Sequence, residues 1–178
     1  GLTRKILKIL AARQIQPIIL TRSSLILRDL DILKTIPAAT IFFTLTNPNY
    51  DMINLFERNT DTYSRRIETM TALAQAGINV WAHIGPIIPF FTDILQIIND
   101  LRGIVRKIEF ENLNKNSAPF TELLGLLKSL DIRAATQVED LYKSEDIYND
   151  YWQNAATQIS DTCVSADLKF HIAFGKLN

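Results

Sequence analysis

The chain has 178 residues, 47% of them hydrophobic and 21% charged, and its 19 basic and 19 acidic side chains leave a formal net charge of zero. That length supports one domain with a real core; the neutral balance makes no global demand for nucleic acid or an anionic membrane, and every apolar run falls well short of the roughly 20 residues a membrane span needs. One cysteine, Cys163, excludes an internal disulfide and a multi-cysteine metal site, and with no signal peptide legible near the start the expected compartment is the cytoplasm.

Residues 2–14 place Leu2, Ile6, Leu7, Ile9 and Leu10 on one broad face and Arg4, Lys5, Lys8 and Arg13 on the other, which predicts an amphipathic helix with Thr3 as its N-cap. Residues 17–21 (PIILT) read as a short buried strand that runs into the polar trio Thr21, Arg22 and Ser23. Residues 24–36 read as a helix or broken helix with Arg28, Asp29 and Asp31 exposed, closed by Pro37. A second strand, residues 40–46 (TIFFTLT), turns at Asn47, Pro48 and Asn49, and one or two helical turns are expected over 51–57. Asp61 or Thr62 caps a helix through Ala76, with Gly77 just past its end.

The next stretch, residues 78–93 (INVWAHIGPIIPFFTD), is the one the chain is organised around. Its first seven residues have the length and β-branched content of a buried strand. Gly85 and Pro86 stop that strand, Pro89 keeps the chain out of helix, and Thr92 and Asp93 supply cap chemistry for a helix over 93–101 that Gly103 ends. A fourth strand follows at 107–113 (KIEFENL), then a loop at 114–118, with Pro119 in the first turn of a helix ending near Leu130. Residues 132–136 read as a short extended piece, 146–162 as an aromatic helix, and 169–174 (KFHIAF) as an alternating, half-exposed terminal strand.

Strands near positions 19, 43, 81 and 110, each followed by helix, predict repeated βα units with right-handed crossovers, in part of a barrel or in an open doubly wound sheet. A Gly-rich phosphate loop between strand and helix is absent from the sequence, which weighs against a mononucleotide fold. Ligands in parallel sheets bind at the carboxyl ends of the strands, so His83 marks a place where chemistry would occur. A lone histidine on a buried strand is as readily a satisfied core group, and it lacks a second metal ligand at the right spacing. Glu109 and Glu111 share the face opposite Ile108 and Phe110, as acid/base groups inside a barrel or as exposed charges on a strand end. Tyr148, Tyr151 and Trp152 have the spacing of core packing before that of base stacking, Cys163 reads as a buried thiol, and His171 as solvent-facing.

The segments TRSSLILRDLDILKTI, TIFFTLTNPN, SRRIETMTALAQAGINVWAHIGPIIPFFTD and KIEFENLN, in that order and spacing, resemble the radical S-adenosylmethionine enzymes of the spore photoproduct lyase, or DNA-repair-photolyase-like, family. The resemblance covers residues 2–114; its most specific parts are Thr21-Arg22-Ser23 with Arg28-Asp29, and the Gly85 to Pro89 run with Thr92-Asp93. It implies an α/β fold, a partial (β/α) TIM-like barrel of mostly parallel strands that lacks the first two βα units. It further implies a single domain over 1–178, with the barrel in 1–114 and a C-terminal helical extension and terminal strand in 115–178.

By the same resemblance the cofactor is S-adenosylmethionine, with Arg22, Ser23, Thr44, Thr46 and His83 as its candidate contacts. Arg22 falls where the family has a lysine that meets the cofactor carboxylate, a role a guanidinium can take bidentately. Thr44 and Thr46 fall where hydroxyls face the ribose and amino-acid end, and His83 would donate to the adenine or to substrate. The implied activity is hydrogen abstraction by a 5′-deoxyadenosyl radical, with a thymine photodimer as substrate and DNA as a partner of the intact protein.

The sequence departs from the family at one decisive point: the Cys-x-x-x-Cys-x-x-Cys motif that holds a [4Fe–4S] cluster is missing. The expectation is therefore a C-terminal part of a longer enzyme, entered at Gly1 directly into helix, which binds no cluster and is inactive by itself. The alternatives are a non-catalytic, degenerate barrel piece that binds a partner or small molecule, and a different (β/α) barrel enzyme of a phosphate-binding kind. Missing strands would leave 18–21 as an open edge beside a concave face lined by Phe42 or Phe43, prone to self-association or covered by 169–174.

Overall fold

In the computed structural model, which describes residues 1–57, 59–116 and 120–177, the apolar runs form one five-stranded sheet. Its strands are β1 (Ile18–Thr21), β2 (Thr40–Leu45), β3 (Asn79–Ile87), β4 (Lys107–Asn112) and β5 (Lys169–Ala173). They lie in chain order, β1-β2-β3-β4-β5, and every neighbouring pair is parallel. A doubly wound sheet would reverse its strand order at a switch point; this sheet does not, so its architecture is that of a partial (β/α) barrel.

Parallel crossovers of one hand carry the connecting segments to one side of such a sheet. The side chains obey that rule by parity. Ile41, Phe43 and Leu45 on β2, Val80, Ala82 and Ile84 on β3, and Ile108 and Phe110 on β4 are all buried beneath the helical layer. That layer contains α1 (Leu2–Ala12), α2 (Leu30–Leu33), α3 (Tyr50–Phe56), α4 (Tyr63–Gln75), α5 (Ile94–Asp100), α6 (Phe120–Leu130), α7 (Ile132–Leu141) and α8 (Glu145–Ser165). The residues of opposite parity form the concave face. In register across it run Leu20, Phe42, Trp81, Lys107 and Lys169, and in the next row Thr44, His83, Glu109 and His171.

Local chemistry explains most boundaries. Thr62 accepts a hydrogen bond from the Arg65 amide at the start of α4, Asp93 accepts from Gln96 at the start of α5, and Gly77 takes φ +82° just past α4. Several expectations change. The first helix is preceded by Gly1 without a side-chain cap, so Thr3 does not cap it. The strand 18–21 is the open edge expected if strands are missing, and not the buried strand its apolar run suggests: Ile18 and Leu20 are 60% and 70% exposed. Gly85 and Pro86 do not end β3, which crosses the cis Gly85–Pro86 bond and continues to Ile87 with its register to β4 shifted between Ile84 and Ile87.

Asp29 is buried, because Arg4 and Arg28 both bond its carboxylate, at 2.9 and 3.1 Å, and pin α1 onto the 3-10 turn Ser24–Asp29. The piece expected to be extended at 132–136 is helical, since Asp131 accepts bonds from the amides of Arg133 and Ala134 and so starts α7. Pro119 and the end of the loop at 117–118 lie outside the described residues. Of the two candidate lumen phenylalanines it is Phe42 that faces the concave side, Phe43 being fully buried. The 169–174 segment joins the far edge of the sheet against β4, so it does not cover β1. Among the described residues no helix is long and apolar enough to cross a membrane.

Candidate functional site

At the carboxyl end of β1 the chain makes a fixed turn: the Ser23 amide donates to Thr21 Oγ1 at 3.1 Å, the Leu25 amide donates to Ser23 Oγ, and the Ser24 amide donates to the Asp61 carboxylate. This turn projects Arg22 over a cavity of about 480 Å³ at the carboxyl ends of β1 to β4. Thr46, Glu57, Gly85 and Pro86 line it, together with Glu122, Leu123 and Leu126 of α6. A space of that size suits a ligand of cofactor dimensions.

The electrostatics are set by Glu57, at the end of α3. Its carboxylate is buried and accepts hydrogen bonds from Arg66 and Thr46, while the Arg22 guanidinium stands 3.5 Å away. Burial by itself would raise this carboxyl, but the Arg66 and Thr46 bonds and the charges of Arg66 and Arg22 outweigh it and hold it below the ordinary glutamate range. Arg66 is fully buried and also donates to the carbonyls of Asp61 (3.0 Å) and Thr44 (3.3 Å) and to the Thr60 hydroxyl (2.9 Å). The buried cation therefore already neutralises Glu57. Arg22, half exposed with one long contact, brings the trio to a net charge of +1, and Glu122 of α6 adds a carboxylate to the same lining.

The sequence candidates divide by position. Arg22 and Thr46 line the cavity, although the Thr46 hydroxyl proton goes to Glu57. Ser23 Oγ caps the 3-10 turn and keeps its own proton to donate. Thr44 faces the concave side one row lower, in register with His83. The His83 ring does not line the cavity; it rests on Gly85, which does, and hydrogen-bonds through Nε2 to Glu111 Oε2 at 3.0 Å. Glu109 does not act with Glu111, because it pairs with Lys107 at 2.6 Å. The aromatic trio Tyr148, Tyr151 and Trp152 packs as a T-shaped cluster at α8. The residues that sequence reasoning passed over are Glu57 and Arg66. The available signal was that Arg66 shares the inner stripe of α4 with Met70 and Leu73, at i, i+4 and i+7, where a charge needs a buried partner.

Whether a [4Fe–4S] cluster fits this chain is settled by its donor set. The sequence has one cysteine, and Cys163 is buried in α8 with its thiol pushed up to about 11 by burial, so it is protonated. Among the described residues no group of three potential metal ligands converges. The chain's residues do not fit the cluster. The cavity lining offers the Arg22 guanidinium to a carboxylate and the Glu122 carboxylate to a cationic group.

No family model matches the chain. It is 34% identical over 124 residues to an uncharacterized protein of Methanocaldococcus jannaschii, across 69% of this chain and 48% of that protein, so it spans about half the length of the curated relative it matches. Among solved structures it resembles a mutant spore photoproduct lyase with dinucleoside spore photoproduct (TM-score 0.60, 13% identity, 97% of this chain and 56% of that one). It also resembles Streptococcus suis SuiB bound to S-adenosylmethionine (TM-score 0.58, 14% identity, 96% of this chain and 36% of that one). At these identities what is shared is the fold, a partial (β/α) barrel.

Proposed function

We propose that this chain is the C-terminal part of a radical S-adenosylmethionine enzyme and that the cavity under Arg22 receives the amino-acid end of the cofactor. The observation that carries the reading is the charge arithmetic at the strand ends: Glu57 is neutralised by buried Arg66, leaving the Arg22 guanidinium to attract a carboxylate. Thr46 would offer its oxygen lone pairs to the ammonium, Ser23, on the turn that carries Arg22, would be the neighbouring hydroxyl donor, and Thr44 would border the nucleoside side. Bound beside a reduced [4Fe–4S] cluster held by other residues of the intact protein, this cofactor supplies hydrogen-atom abstraction. The residues of this chain bind and orient it.

The finer reading is a lyase similar to spore photoproduct lyase, acting on a photoproduct with DNA as partner. It is supported by the quoted sequence segments and by the same fold in spore photoproduct lyase. The second reading, a cluster-free barrel piece that binds a small molecule or partner, is favoured by one observation, the lone buried Cys163. Calorimetric titration of the chain with S-adenosylmethionine tests both. Losing a charge-assisted bond costs about 1.5–3 kcal/mol, so Arg22→Ala is expected to weaken binding roughly 10- to 150-fold, with Arg22→Lys intermediate. Unchanged affinity in Arg22→Ala removes Arg22 from the site, and a wild-type chain that does not bind the cofactor removes the cavity assignment.

A further inference from the structure

We infer that His83 and Glu111 form a second ligand-recognition site on the concave face, one that takes a flat apolar ring bearing a single O–H or N–H donor. The assignment is independent of the cofactor reading. An ionised carboxylate only accepts hydrogen bonds, so the 3.0 Å contact to Glu111 Oε2 places a proton on His83 Nε2. In the neutral ring the lone pair is then on Nδ1, which has no hydrogen-bond partner among the described residues, and the side chain is 24% exposed. Glu111 thereby selects the tautomer whose accepting nitrogen is left for a ligand.

The ring is held in place as well as in tautomer. A Cβ at Gly85 would lie 2.8 Å from His83 Cε1 and 3.0 Å from Nε2, so the imidazole sits directly on a backbone that only glycine leaves open. Phe42 meets the same ring edge-on at 5.6 Å and meets Trp81 edge-on at 6.1 Å. Phe42, Trp81 and the exposed Leu20 form an apolar floor one row below the imidazole, which is what gives the ligand its flat body. The neighbouring charges are already committed. Glu109, in register with His83, is bound by Lys107, and the Lys107 ammonium also lies 4.8 Å from the centre of the Trp81 ring. The other groups facing the imidazole are Thr44 on β2, Glu111 on β4 and, beyond Glu109, His171 on β5.

Phenol, an aromatic ring with one O–H donor, is the probe, and toluene is its donor-free control. Ring-nitrogen NMR of the 178-residue chain is expected to show His83 as the Nε2–H tautomer in its neutral form. Phenol should shift the Nδ1 resonance while toluene shifts only the Trp81 indole. Glu111→Ala, at a 57% exposed side chain whose loss the fold tolerates, should mix the tautomers and reduce the phenol-induced Nδ1 shift at least fivefold, leaving the toluene response intact. Glu111→Gln, whose amide oxygen still accepts from Nε2–H, should restore both. An unchanged tautomer in Glu111→Ala, or a phenol shift at Nδ1 no larger than that of toluene, overturns the assignment. Either result leaves the S-adenosylmethionine titration unaffected, so the two readings fail separately.

Discussion

Replacing Arg66 by methionine keeps the length of a fully buried side chain and deletes its charge. Glu57 would keep the Thr46 and Thr60 hydroxyls and a distant Arg22, but lose the buried cation. Removing one partner of a buried pair leaves an uncompensated charge and costs about 3–5 kcal/mol. At roughly 2–4 °C per kcal/mol for a chain of this size, the melting temperature should fall by about 6–20 °C near neutral pH. The sign of the pH dependence follows from Glu57, whose folded carboxyl titrates below its ordinary value of 4.5. In the wild type this group adds stability above that value and loses it as pH falls through the lower folded value. Without Arg66 only the hydroxyl bonds and distant Arg22 oppose the cost of burying the charge, and protonation relieves that cost, so the deficit of Arg66→Met should shrink in acid. Scanning calorimetry near pH 7 and again near pH 3.5 measures both effects, and Glu57→Gln/Arg66→Met should cost less than Arg66→Met alone. A single variant that melts within about 2 °C of wild type at neutral pH, or a deficit that does not change with pH, would refute the buried-pair argument.

Asp29→Ala should cost about 1.5–3 kcal/mol in urea unfolding, less than Arg66→Met, because Arg4 and Arg28 can rehydrate once freed; the amides of α1 should then exchange fastest. Tyr148→Phe removes the hydroxyl that donates to the Gly175 carbonyl at 2.9 Å and accepts from Asn112 Nδ2 at 2.7 Å, so the tail after β5 should become cleavable by trypsin at Lys176; an unaltered digestion pattern counts against that tether. Leu20→Lys places a charge on the open edge strand, and if β1 drives self-association, sedimentation should show a shift from dimer to monomer. A wild-type chain that is monomeric at high concentration removes that expectation. Cys163 should resist iodoacetamide in the native state and react after denaturation, since its thiol is buried and raised to about 11.

The parts of this fold written in local chemistry were readable in advance. Thr62, Asp93 and Gly77 each solve a problem confined to one turn of chain, and the parity of TIFFTLT and NVWAHI divides two faces without reference to anything distant. What was not readable is pairing across the sequence. Asp29 looks like a surface acid until α1 brings Arg4 to it, and the inner stripe of α4 marks Arg66 as needing a partner without saying that Glu57 is that partner. Residues 132–136 differ for another reason: they are helical and not extended because the Asp131 side chain caps the first turn of α7. Arg22 and His83 were found as residues. Their working partners, Glu57 with Arg66 and Glu111 with Gly85, came only with the tertiary structure.

The strictly sequential order of the sheet gives this molecule the mechanics of a short stack. β2, β3 and β4 each have a hydrogen-bonded neighbour on both sides, and β1 and β5 each have one. Stability should then behave approximately as a sum of terms between adjacent units, as in repeat proteins, with opening graded from the two edges inward. Native-state hydrogen exchange should rank β3 slowest, β2 and β4 next, and β1 and β5 fastest. The rank matters chemically because His83 stands on β3, the unit that would be the last to open, whereas Arg22 hangs from β1, among the first. The two recognition elements thus differ in local stability, and a perturbation of the β1 edge would loosen the carboxylate-binding arm well before it disturbed the imidazole.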